Sequence, residues 1–365
     1  MQDDDETVEL NVVAHVSVDF DNESRTSYTP TETSFDFAWS KGDQVIVVSE
    51  DGRRNLGVMT LKGDGGTSYA DFSGTIRART TDKKVNVYYL GRKTTDNLGS
   101  KYVNMVYDLS NQETSLANIT DYGVMHSLAD LQRDADNNAI MQFSVKSLMS
   151  YARFSFHFIP ENVVATNEAV CVKGSHIYNG YKLGFAGAAM TEQNEGAISM
   201  VPDWSNKAGG DACMVFVPAT AAVTEFEVNV GGVLYKASLD AKDYKGGKYY
   251  CGGQPLHGKD VYFSKDGDWT LIYDANGGSN APATATVNGN FAQSYRFTVS
   301  TEIPVKEGYE FLGWADSDAA ATPDYQVGGQ VTIARPATTK TIYAVWKQKL
   351  AEGNITVPGS TGTDY

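Results

Sequence analysis

Between residues 8 and 20 the chain alternates with period two: Val8, Leu10, Val12, Ala14, Val16, Val18 and Phe20 fill every even position, and the odd positions are mostly polar. Such alternation predicts a half-buried β-strand about 43 Å long, at about 3.3 Å per residue. Shorter runs predict strands at 44–49, 85–90, 140–145, 152–159, 168–173, 212–217 and 224–230. Between the runs lie turn sequences such as EDGRR, KGDGG, NVGG and YKGGK, where Gly and Asp supply positive φ. One stretch reads differently: Val124, Leu128 and Leu131 stand at helical spacing behind Asp121 as N-cap, which predicts a helix over 119–134. Short alternating strands without alternating helices predict a mainly β chain built of antiparallel sandwiches.

A chain of 365 residues exceeds the usual size of one hydrophobic core. The turns divide it into units at 1–145, 146–267 and 268–347, followed by a polar tail at 348–365 that is expected to be mobile. The third unit concentrates aromatics in "GYEFLGW" (308–314) and "IYAVW" (342–346). A domain of that size buries only about 60% of its unfolded surface, so it needs large side chains. Trp269, Tyr273, Tyr309, Phe311, Trp314, Tyr343 and Trp346 can supply them, each burying about 150–250 Å². Gly308 and Gly313 would let strands approach or bend around those rings.

A formal charge of −15 with scattered Lys and Arg argues against nucleic acid and anionic membrane surfaces. No run reaches the roughly 18–20 apolar residues of a membrane helix. Cys171, Cys213 and Cys251 fit neither a zinc ribbon nor a CxxC motif. They read as small buried residues, or as one disulfide with a leftover thiol.

No catalytic constellation stands out. His15, His126, His157, His176 and His257 show no short metal-ligand spacing, and His15 and His157 fall on the polar side of alternating strands. "DADNN" (134–138) places Asp134, Asp136 and Asn138 at the first EF-hand positions, but Ala139 and Val145 stand where Gly and Glu are needed. "KGDGG" (62–66) reads as a hairpin turn. No spacing marks a glycosidase pair among the 45 acidic residues. The expectation is a protein that is no enzyme and has no cofactor or metal.

Two resemblances give these readings a context. "YDANGG" (273–278), "VKEGYEFLGWADS" (305–317) and "TIYAVW" (341–346) occur in order, with Pro304 four residues before Gly308. Together they resemble the Listeria-Bacteroides repeat, the internalin B-type extracellular repeat. Its signature falls here on Tyr273, Asn276, Gly277, Gly278, Pro304, Gly308, Tyr309, Phe311, Gly313, Trp314, Tyr343 and Trp346. The resemblance implies a small β-grasp-like module of surface proteins, often in contact roles. It makes the aromatic cluster a structural signature in preference to a binding site.

The first two units resemble, more diffusely, the fimbrillin family of Bacteroidetes, pilin-like surface lipoproteins. The residues that carry this are "FDFAWSKGDQVIVVS" (35–49), "DFSGTI" (71–76), "ARFSFHFI" (152–159) and "KYYCGGQPL" (248–256). The resemblance implies two tandem sandwiches of transthyretin-like, Greek-key kind at the outward face of the outer membrane. It makes "QDDDE" (2–6) an export signal that follows a lipidated Cys, itself absent from this sequence together with the signal segment. It also implies assembly by strand exchange, in which a trypsin-like protease cuts after an Arg and releases the first strand. Arg25 is the one basic residue between Met1 and Lys41 and so the candidate processing site.

The tail offers only Leu350, Ile355 and Val357 as sizeable apolar residues for donation. A tip, accessory or stand-alone adhesin is therefore favoured over a stalk subunit. The implied partners are other pilus subunits, or a host or bacterial surface protein or glycan; membrane contact would run only through the lipid. A glycan-binding surface lipoprotein is the alternative, and an exposed row of Trp or Tyr would favour it.

Overall fold

The computed structural model describes residues 6–19, 37–92, 104–113, 121–205, 209–252 and 257–350. Alternating β-branched and aromatic residues dominate these segments, and they form a mainly β fold. The chain divides into two units: residues 1–265 with 291–293, and residues 266–290 with 294–365.

In the first unit ten strands precede residue 148: β1 (Thr7–Asp19), β2 (Gln44–Ser49), β3 (Asn55–Leu61), β4 (Tyr69–Arg79), β5 (Lys84–Tyr89), β6 (Asn104–Asp108), β7 (Asn111–Gln112), β8 (Met125–Asp130), β9 (Gln132–Arg133) and β10 (Asn138–Ser147). The order β1-β4-β3-β2-β5-β8-β10 closes on itself, because β10 also pairs β1. Ten more follow: β11 (Ser150–Ile159), β12 (Val170–Lys173), β13 (Tyr178–Gly184), β14 (Ala189–Glu195), β15 (Ile198–Met200), β16 (Gly210–Phe216), β17 (Ala219–Val230), β18 (Val233–Tyr244), β19 (Tyr249–Tyr250) and β20 (Lys259–Ser264). With β7 and β6 they build a sheet of order β16-β11-β20-β18-β17-β12-β15-β7 and a smaller one of order β14-β13-β6.

Each half of this unit has its own core. In the first, Trp39 is fully buried and meets Phe37, Phe72 and Tyr89 edge-on, with ring centroids 4.8, 5.0 and 5.2 Å away. In the second, Phe154, Phe156, Phe158, Phe226 and Phe263 pack with Trp204. A third core lies across both halves, joining Ile46, Val48, Tyr88 and Leu90 to Tyr151, Tyr181, Phe185 and Val215. Polar bonds bridge it: the Tyr88 hydroxyl donates to the Phe185 carbonyl (2.8 Å), and Gln112 exchanges two bonds with the Val215 backbone (2.8 and 2.9 Å). Most ladders are antiparallel. Parallel ones join strands far apart in sequence, β1 with β10 and β11 with β20.

The expected helix at 119–134 is corrected. Met125–Asp130 is β8, paired antiparallel to β5 from Lys84↔Asp130 to Tyr89↔Met125. The helical spacing misleads because this segment borders two cores. Val124 is buried in the shared core, whereas Met125, Ala129 and Leu131 face the first one and Leu128 lies exposed. The period-two row on the odd positions carries the structure.

Within β8, His126 Nε2 lies 2.8 Å from Asn86 Oδ1. The Asn86 amide donates to the Ser49 and Glu50 carbonyls, so the imidazole is the donor. Burial pulls the His126 pKa below its ordinary value. Its contribution is therefore complete above about pH 6.5, the unfolded value, and is lost as pH falls through the folded value. Unfolding measured from pH 7.5 to 4.5 should show that slope reduced in His126→Gln, which keeps a donor and cannot be protonated.

The second unit holds β21 (Trp269–Asp274), β22 (Ala285–Val287), β23 (Ser294–Thr298), β24 (Tyr309–Ala315), β25 (Gln330–Ala334) and β26 (Thr339–Gln348). Its sheets have the orders β22-β21-β26-β24 and β23-β25. Between them pack Trp269, Leu271, Tyr273, Phe297, Val299, Trp314, Val331, Ile333 and Ile342. No helix among the described residues is long and apolar enough to cross a membrane.

Candidate functional site: the β1 cleft and the aromatic signature

β1 is bordered on both sides. It runs antiparallel to β4 from Thr7↔Arg79 to Ser17↔Tyr69, and parallel to β10 from Asn11↔Asn138 to Asp19↔Lys146. The alternation sends Leu10, Val12, Ala14 and Val16 inward to exposures of 0–2%, with Val8 packed at the margin. On the β4 wall they face Ile76, Gly74, Phe72 and Ala70 in turn; on the β10 wall, Val12, Ala14 and Val16 face Ala139, Met141 and Phe143. Gly74 is required by β3, since a Cβ there would lie 2.3 Å from the Val58 carbonyl oxygen. The side chain of Val18, the residue Phe20 and the predicted processing site Arg25 lie outside what the structure describes.

The outward face of β1 is tied by polar pairs. Arg77 donates to Glu9 through Nη2 (2.8 Å) and Nε (3.0 Å), and His15 Nδ1 meets Asp71 Oδ1 at 2.7 Å. Ser17 and Ser144 bond at 2.7 Å. Such exposed pairs are worth little, about 0–1 kcal/mol each, so the inward row dominates retention of the strand. The cleft walls could have been found from sequence, since Ala70, Phe72, Gly74, Ile76 and Ala78 continue a period-two row that a glycine interrupts.

In the second unit the signature residues divide between core and backbone roles. Trp314 is fully buried against Tyr273 (5.0 Å) and Phe311 (5.2 Å), and Phe311 meets Trp346 at 5.7 Å. The Tyr273 hydroxyl accepts the Ser300 amide (2.8 Å), and Trp346 Nε1 donates to the Ala275 carbonyl (2.9 Å). Asn276 turns the chain at φ 48° and donates its side-chain amide to the Asp318 and Ala344 carbonyls. Gly277 and Gly308 also take positive φ, Gly278 gives the Trp346 ring room, and Pro304 is buried. Tyr309 and Tyr343 are half-exposed, with the Lys306 ammonium 4.7 Å above the Tyr309 ring. Sequence reasoning missed Phe297, Val299, Val331 and Ile333, which complete this core.

Gly313 stands in a β-bulge at φ 144°, where a Cβ would fall 2.6 Å from Pro323 and 2.8 Å from the Tyr325 carbonyl oxygen. Gly313→Ala should destabilise the second unit by about 1–3 kcal/mol. A lowered midpoint in chemical denaturation, followed by Trp fluorescence, checks this.

The remaining candidates have structural occupations. No disulfide joins the three cysteines; Cys213 is buried, whereas Cys171 and Cys251 are half-buried. Burial pushes the Cys213 thiol up to about 12 and the Cys171 thiol upward too, away from the reactive thiolate. His157 Nε2 meets Asp260 at 2.9 Å on the surface. In "DADNN" the Asp134 carboxylate accepts the Asp136 and Asn138 amides and caps its own turn. "KGDGG" lies in the connection between antiparallel β3 and β4. A shallow depression of about 640 Å³ is lined by Thr166, Asn167, Val201, Pro202, Asp203 and Trp204.

Comparison with known proteins adds the following. Residues 269–345 match the Listeria-Bacteroides repeat domain. No curated protein matches the chain. Among solved structures, a candidate cell adhesion protein of Bacteroides ovatus is similar at 13% identity over 78% of this chain and 97% of its own, with a TM-score of 0.44. For a candidate cell adhesion protein of Bacteroides uniformis the values are 12%, 80%, 100% and 0.43. For a fimbrial assembly protein of Parabacteroides distasonis they are 12%, 67%, 89% and 0.36.

Proposed function

We propose that this chain is a non-catalytic cell-surface adhesin or pilus subunit of tip or accessory kind, assembled by exchange of β1 after proteolytic release at Arg25. The observation that carries this is the position of β1: one uninterrupted strand, Thr7–Asp19, seated between β4 and β10 with Leu10, Val12, Ala14 and Val16 in the first core. Among the described residues, none of β1 belongs to the core shared by the two halves. Its departure would open one apolar furrow flanked by two sets of backbone bonding groups, which is a template for an incoming strand. In this reading the protein is lipid-anchored at the outer membrane, and the repeat module at 269–345 serves contact with a surface protein or another subunit.

Burial of the aromatics weighs against the glycan alternative. Trp39, Trp204, Trp269 and Trp314 are buried and Trp346 half-buried, and Tyr69 is the one exposed tyrosine among the described residues. No planar row is left for sugar faces among them. Brief digestion of the folded protein by a trypsin-like protease, followed by N-terminal sequencing and electron microscopy, tests the reading. The expected result is a new terminus at Thr26 and multimers of the cut protein; a product whose first 40 residues stay intact would refute the processing step.

A further inference from the structure

We propose that the β1 cleft selects its incoming strand by side-chain size. Its partner is an extended segment of another protein chain that carries, at successive inward positions, a large aliphatic residue, a β-branched residue, an alanine or glycine, and a β-branched residue. This rests on the exchange reading above and adds what the exchanged strand must look like. The basis is a reciprocal order of sizes along the cleft. Where β1 has Val12, both walls are small, Gly74 and Ala139; where β1 has Ala14, both walls are large, Phe72 and Met141. Leu10 faces Ile76, and Val16 sits between small Ala70 and the half-buried Phe143. All four β1 residues are at most 2% exposed, so no slack remains to absorb a mismatch.

That order fixes register and polarity together. A slip of one residue turns the polar row inward. Slipping by two brings a valine against Phe72 and Met141, or leaves alanine over Gly74 and Ala139, so one site is overpacked or another emptied. A strand inserted in the opposite direction meets Val, Ala, Val and Leu in place of Leu, Val, Ala and Val, again with valine at the Phe72–Met141 position. The ladders alone do not make this choice, because β4 and β10 border β1 in opposite senses and either direction gives one parallel and one antiparallel ladder.

The test uses the full chain cut once between residues 20 and 37 at an inserted protease site, with synthetic peptides of residues 7–20 added in excess. Replacement of the resident strand is read by native mass spectrometry. The natural peptide and its Ala14→Gly form should enter. A peptide of identical composition with Val12→Ala and Ala14→Val exchanged should enter at least about tenfold less well, as should Ala14→Leu. Entry of the exchanged peptide within twofold of the natural one overturns the size rule while leaving strand exchange standing. If the natural peptide also fails to enter, exchange itself fails and the size rule with it.

Discussion

Trp314→Ala is expected to unfold most of the second unit while the first stays folded. Trp314 is fully buried, and Tyr273 and Phe311 meet it edge-on within one small core. Truncating a buried Trp costs about 3–5 kcal/mol, against a total of roughly 4–12 kcal/mol for a domain of this length. The Trp314 indole N–H has no hydrogen-bond acceptor among the described residues. Trp314→Phe, which keeps a ring and forfeits no hydrogen bond, should therefore cost well under half as much. Hydrogen exchange on the full chain, followed peptide by peptide, separates the outcomes: protection over 269–345 collapses in the alanine variant and persists in the phenylalanine one.

Val12→Asp should have an effect of similar size on the first core. Val12 is 2% exposed, and Gly74 and Ala139 beside it offer no cation. Burial without a partner raises a carboxyl pKa by up to about 3–5 units, of which the roughly 3 units between the unfolded value and pH 7 count there, about 4 kcal/mol of destabilisation. Because the folded-state pKa would lie above the unfolded one, the deficit is fully present above the folded value and shrinks as pH falls towards about 4. Denaturation midpoints at pH 7 and pH 4.5 should thus differ less from the parent protein at the lower pH. His15→Ser, on the outward face of the same strand, should cost under about 1 kcal/mol. Equal effects at positions 12 and 15 would contradict the alternation.

These contrasts follow the legibility of the sequence. The strand at 8–20 was readable because one of its faces meets one core and the other meets solvent, the condition under which period two survives. The segment at 119–134 was misread because it borders two cores, so Val124 and Met125, adjacent residues, are both buried. The motif residues around Trp314 could be placed from their spacing, whereas strands β23 and β25, which contribute Phe297, Val331 and Ile333 to the same core, carry no motif. The cleft around β1 was half legible. Its row of even-numbered residues could be counted, but the match of Val12 to Gly74 and of Ala14 to Phe72 depends on a register that only the paired strands reveal.

The central claim is that β1 can leave its own chain and be replaced by another. Heavy- and light-isotope preparations, each cut once between residues 20 and 37, are mixed and held under native conditions, and their intact complexes are weighed. Exchange predicts hybrids in which a heavy β1 fragment sits in a light cleft, formed faster than the chain unfolds globally. Parent masses that remain unmixed until denaturant unfolds the first core would contradict it.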